Sequence, residues 1–124
     1  RLVLSIVDTG ELAHVGEGSL GHLLAAREIE WIHLPVGDFG APSGEVERLW
    51  PAASQAAHGH LDGGGKVLVH CRGGCGRSGM VALRLLVERG EEPGQALLRL
   101  RAVRSCAVEN DGQFGWAAAG ARVA

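Results

Sequence analysis

A chain of 124 residues and 12.9 kDa supports one ordinary domain around one core. Hydrophobic residues at 46% and charged residues at 21% exclude a disordered tail, and the apolar runs are too short to span a bilayer. A formal net charge of −2 gives no global basic field, so neither nucleic acid nor a membrane is an expected partner, and any anion must be attracted locally.

Leu2 to Val7 is apolar enough for a buried strand, and the two segments 11–16 and 19–27 read as short helical pieces before a second, alternating strand at Ile29 to Val36. Ser43 to His60 starts with a capping-type Ser43 and carries Val46, Leu49, Trp50 and Ala53 on one face. This pattern predicts an amphipathic helix stopped by Gly63, Gly64 and Gly65. Lys66 to His70 is a third strand, and Ser78 to Arg89 is a buried helix closed by Gly90. Pro93 suits the first turn of a helix running to about Arg104, with Glu91 and Glu92 at its positive end, and Asp111 to Val123 gives a final helix. Strands alternating with helices imply an α/β, three-layer domain over residues 1–124, a central mostly parallel sheet flanked by helices. Arg1 leads straight into a strand, so a further N-terminal portion is expected before it.

Between the third strand and the next helix lies His70-Cys71-Arg72-Gly73-Gly74-Cys75-Gly76-Arg77-Ser78. A loop opening a helix presents unpaired N–H groups and a positive dipole end, and its glycines let the backbone close around a phosphate-sized anion. The same field favours thiolate over thiol at Cys71, making it a nucleophile, while Arg77 can offer a planar fork to two phosphate oxygens. Phosphoryl transfer also needs a proton donor from elsewhere. Asp38 is the candidate, in a Gly/Pro-rich segment 33 residues before Cys71.

The loop resembles the signature of the cysteine-dependent protein tyrosine and dual-specificity phosphatases: His-Cys, five residues, Arg, then Ser or Thr. Much of the rest of the chain, including His33-Leu34-Pro35 and Arg104 to Phe114, resembles the kinase-associated phosphatase-like branch. The resemblance implies the cysteine phosphatase fold and metal-independent, cofactor-free hydrolysis of phosphoproteins through a phosphocysteine. Cys71 would be the nucleophile, Arg77 the clamp, Asp38 the acid and then base, and Ser78 the hydroxyl that eases departure of the thiolate. Backbone amides of Arg72, Gly73, Gly74, Cys75, Gly76 and Arg77 would cradle the oxygens, with His70 supporting the thiolate and Gln113 positioning water. A phosphoinositide or small-molecule phosphatase and a catalytically silent phospho-binding module are the alternatives. Retention of both Cys71 and Asp38 argues against the module, since binding alone needs neither.

Other patterns are weaker. Gly74-Cys75-Gly76-Arg77-Ser78-Gly79 matches a dinucleotide-binding fingerprint, but no second strand ending in an acidic residue follows. His58 and His60 lack companions at metal-ligand spacing, and Trp31, Trp50 and Trp116 read as packing residues. Arg99, Arg101 and Arg104 form a mild basic edge, a solvated face or a recruiter of acidic substrate. Three cysteines make no disulfide scaffold, which with the absence of a signal-like opening points to a reducing cytoplasmic compartment. Cys75 reads as a small filler or as a resolving partner for Cys71, and Cys106 as structural.

Overall fold

The computed structural model describes residues 1–8, 20–37, 40–72 and 75–122. The helical piece expected at 11–16 lies outside them. Three parallel strands, β1 (Leu2–Ser5), β2 (Glu30–His33) and β3 (Val67–His70), form a sheet of order β2-β1-β3. β1 takes the centre because it is the most apolar of the three, and Leu2, Leu4 and Ile6 are buried. Its last residue, Ser5, is in register with His33 on one side and His70 on the other. β2 stops at His33 rather than at Val36. The Leu34 amide still donates to the Ser5 carbonyl at 2.9 Å, but Pro35 has no N–H with which to continue the ladder.

Helix α1 (Leu20–Ala26) fills most of the second expected helical piece, and α2 (Glu45–Asp62) fills the amphipathic one. The expected Ser43 cap is corrected. Gly44, at φ 48°, makes the entry without a side-chain cap, and Ser43 supplies only a carbonyl that accepts from the Val46 amide at 3.1 Å. Glycine takes that left-handed turn with no Cβ penalty. Val46, Trp50 and Ala53 are buried as expected, whereas Leu49 is 40% exposed. The stripe continues through Ala57, and 100° per residue leaves Leu49 at its margin. The chain then leaves α2 through Gly64 at φ 80°.

Helix α3 (Gly76–Glu88) begins two residues earlier than Ser78 and ends before Gly90, at φ 100°. It runs through the centre of the molecule. Met80, Val81 and Leu85 join Leu2, Leu4 and Ile6 and the buried stripe of α2 in one core cluster. Leu83 and Val87 face a second cluster with Ala96 of α4 (Pro93–Val103), Val108, and Ala117 of α5 (Asp111–Ala118). Glu92 caps α4, accepting from the Gly94 and Gln95 amides at 3.0 and 2.7 Å, and these bonds hold its carboxyl below the ordinary range. The last helix is shorter than expected, passing into a 3-10 turn at Ala119–Arg122.

The far end of α3 is tied down by Glu88. Its carboxylate accepts from Trp50 Nε1 at 2.9 Å, Ser54 Oγ at 2.6 Å, His58 Nε2 at 2.9 Å and Arg84 Nε at 3.1 Å. Arg84 in turn lies 4.5 Å from the Trp116 ring centre, and Trp116 meets Trp50 edge to face. Trp50 and Trp116 are therefore packing residues. His58 serves Glu88, and His60 pairs with Glu30 at 3.0 Å. Burial pushes the Glu88 carboxyl up, but the donors from Ser54, Trp50, His58 and Arg84 outweigh it and hold the group below the ordinary 4.5. With the folded value below the unfolded one, this stabilisation is complete above about pH 4.5 and is lost as pH falls through the folded value. Glu88→Gln is expected to cost about 2–3 kcal/mol at neutral pH, with the deficit shrinking in acid. Urea unfolding of both proteins from about pH 3 to 7 reads the difference.

Candidate active site

Cys71 leaves the end of β3 and lies at the start of α3. It is a free thiol, 8% exposed. The Ser78 amide, in the first turn of α3, donates to its Sγ at 3.4 Å, so the sulfur sits at the positive end of that helix. The Ser78 hydroxyl donates instead to the Cys75 carbonyl at 3.2 Å. Arg72 is exposed, Cys75 half-buried, and Gly76 and Arg77 buried; Gly73 and Gly74 lie outside the described residues.

Arg77 is 2% exposed, and its Nη1 donates to the Val36 carbonyl at 2.8 Å. Gln113 is buried at the start of α5. Its Oε1 accepts from the Glu109 amide at 2.7 Å, and its Nε2 donates to the Gly40 carbonyl at 3.1 Å. Asp38 and Phe39 lie outside the described residues, but the residues on either side of them are held from below. Arg77 fixes Val36, Gln113 fixes Gly40, and the Gly40 amide closes a turn on the Gly37 carbonyl at 2.9 Å. The clamp candidate and the Gln113 candidate thus share one support task, anchoring the segment that carries the acid candidate.

Cys75 is bonded to Cys106 across a Cα–Cα distance of 5.4 Å, which corrects both readings of Cys75. It is neither a simple filler nor a partner of Cys71, because the turn after α4 brings Cys106 to it first. The same turn packs on α3 through Gly79, where an added Cβ would lie 2.6 Å from both Cα and Cβ of Ala107. Gly79→Ala must push two backbones apart, and a loss of about 1–3 kcal/mol is expected in chemical denaturation. The basic edge is partly consumed by the same region. Arg101 donates to the Ala107 and Val108 carbonyls at 2.9 and 2.7 Å, and Arg99 pairs with Glu91 at 2.7 Å.

The sequence reading also missed Glu109, whose side chain lies where a Cβ on Gly76 would be, and a Trp31, Ser5 and His70 chain behind the loop. Neither carries a local signal. Strand register and loop packing create both. Among the described residues no group of three His, Cys, Asp or Glu side chains is gathered as metal ligands, and no helix is long and apolar enough to cross a membrane.

The profile of the DSP-PTPase phosphatase domain of the Swiss Army Knife proteins, PTP-SAK, matches residues 12–113. The chain belongs to this protein phosphatase family. The PTP-SAK domain also resembles solved phosphatase structures. Tk-PTP in its active form is 33% identical at TM-score 0.78, covering 98% of this chain and 78% of that one. Kinase-associated phosphatase, solved with its catalytic-site cysteine replaced by serine, is 27% identical at TM-score 0.82, covering 96% and 67%. Human DUSP28, at 20% identity and TM-score 0.71 over 98% and 74% of the two chains, shares the fold. No curated protein matches the sequence.

Proposed function

We propose that the domain hydrolyses phosphate monoesters on phosphoproteins through a phosphocysteine on Cys71. The observation that carries this reading is the free Cys71 sulfur held at the opening of α3 by the Ser78 amide, with buried Arg77 beside the acid-bearing segment. The Cys71 thiolate attacks phosphorus as the ester P–O bond breaks, and Asp38 gives its proton to the departing oxygen. Asp38 then takes a proton from water, the hydroxide attacks phosphorus, the S–P bond breaks, and the thiolate and inorganic phosphate are released. Arg77 and the loop amides hold the equatorial oxygens, whose charge the helix end offsets. The Ser78 hydroxyl turns from the Cys75 carbonyl to the sulfur in the second step.

The test is hydrolysis of a small aryl phosphate with EDTA present, comparing the wild type with Asp38→Asn from about pH 5 to 8. Asp38→Asn is expected to weaken turnover and remove the basic limb of the profile. Phosphate binding by the wild type without turnover of aryl or peptide phosphates would replace this reading with a phospho-binding module. Preference for an inositol phosphate headgroup over phosphopeptides would move the substrate to lipid.

A further inference from the structure

Behind the loop, three strands contribute one chain of hydrogen-bonded side chains. Trp31 Nε1 on β2 donates to Ser5 Oγ at 2.8 Å, and Ser5 Oγ lies 2.5 Å from His70 Nε2 on β3. Ser5 is fully buried on the central strand, and the parallel register sets it opposite His70. Among the described residues these are the two partners of the Ser5 hydroxyl. The indole is a donor only, so it occupies a lone pair on Oγ and cannot take the hydroxyl proton. Among the described residues that proton has one partner able to accept it, His70 Nε2. The reverse arrangement, a proton on Nε2 pointing at Oγ, would leave a buried O–H with no acceptor.

From this we infer that Ser5 and Trp31 are positioning residues that fix His70 in the tautomer with its proton on Nδ1 and its lone pair on Nε2. The bond made by one ring nitrogen decides which nitrogen carries the proton. Here the decision is made two strands away, because Trp31 determines which way the Ser5 hydroxyl points. Stacking of Trp31 on His33, 5.7 Å between ring centres and 7° between planes, holds the indole in place. The Ile6 amide donates to the His70 carbonyl at 2.8 Å, so the end of β1 grips His70 by backbone and ring together. The residue so gripped is the last before Cys71, and the chain sets the direction in which that sulfur leaves the sheet. The consequence for catalysis rests on the proposed phosphatase reading, while the tautomer assignment does not.

The experiment is long-range ¹H–¹⁵N correlation of the histidine rings in the intact domain near neutral pH, with kinetics on an aryl phosphate alongside. In the wild type, His70 Nε2 is expected to resonate as an unprotonated nitrogen and Nδ1 as a protonated one. Ser5→Ala removes the donor, and the proton should shift to Nε2. Trp31→Phe keeps a ring over His33 but releases the hydroxyl, and a mixture of tautomers should follow. In both variants kcat should fall by about tenfold with KM little changed, the scale of outer-shell losses elsewhere. A proton on Nε2 in the wild type overturns the proposal directly, even if neither variant folds. A changed tautomer with unchanged kcat overturns the positioning role. Failure of the wild type to turn over any aryl or peptide phosphate overturns the phosphatase reading instead, and the nitrogen spectrum still decides the tautomer.

Discussion

Cys71→Ser is expected to lower aryl-phosphate turnover by at least about 10⁴-fold, the scale of losing a nucleophile outright. A hydroxyl is a far weaker nucleophile than a thiol, so a serine facing the helix end and the Ser78 amide does not attack phosphorus in its place. The change removes one atom's chemistry and little volume, from a site that is only 8% exposed. Folding and inorganic phosphate binding should therefore survive. Steady-state kinetics, phosphate titration calorimetry and acid trapping of a phosphoenzyme check the three parts. A variant that retains turnover within tenfold of the wild type removes Cys71 from the chemistry.

Arg77→Lys is expected to lower kcat by about 10²–10³-fold, the cost of removing a fixed donor to charge that develops in the transition state. Lysine keeps the charge but loses the planar fork, so one ammonium must be shared between a phosphate and the Val36 carbonyl that the guanidinium can serve from separate nitrogens. The effect is thus double. One part weakens the hold on phosphate, and the other releases one end of the Val36–Gly40 segment, which carries the proposed proton donor. Gln113→Leu separates the two, because it frees only the Gly40 end. A pH profile that loses its basic limb in Gln113→Leu while phosphate binding is retained would assign that anchoring to Gln113. An unchanged profile would leave Arg77 as the anchor.

The strands and the loop were legible because their signals are local. β-branched runs, a cysteine at a strand end and an arginine six residues on need no tertiary knowledge. The start of α3 was misjudged because Gly76 reads as a breaker, whereas here it opens the helix and makes room for the Glu109 side chain. Ser43 failed as a cap for a related reason. Its identity suits a cap, but the left-handed turn falls on the next residue, Gly44. The Cys75–Cys106 bond and the Trp31, Ser5 and His70 chain were not legible at all. Each joins residues 26 or more apart, and only the packing of the α4–α5 turn or the sheet register reveals them. Arg77 and Gln113 stand out in the sequence as candidates by type, but their bonds to Val36 and Gly40, on either side of Asp38, required the fold.

The cross-link between Cys75 and Cys106 places two sulfurs of opposite requirement in one short loop. In the proposed mechanism Cys71 must stay unbonded to attack phosphorus, whereas Cys75 holds the loop through a covalent bond. Closing a span of 31 residues restrains the unfolded chain by about 3–4 kcal/mol in the chain-entropy description. A dithiol reductant restores an oxidised Cys71, but two electrons passed to the Cys75–Cys106 bond open the loop and leave the reductant as its own disulfide. With protein whose Cys71 is first oxidised, activity plotted against reductant concentration should therefore rise and then fall, and the separation of the two limbs reports how far apart the two sulfur sites lie in redox affinity.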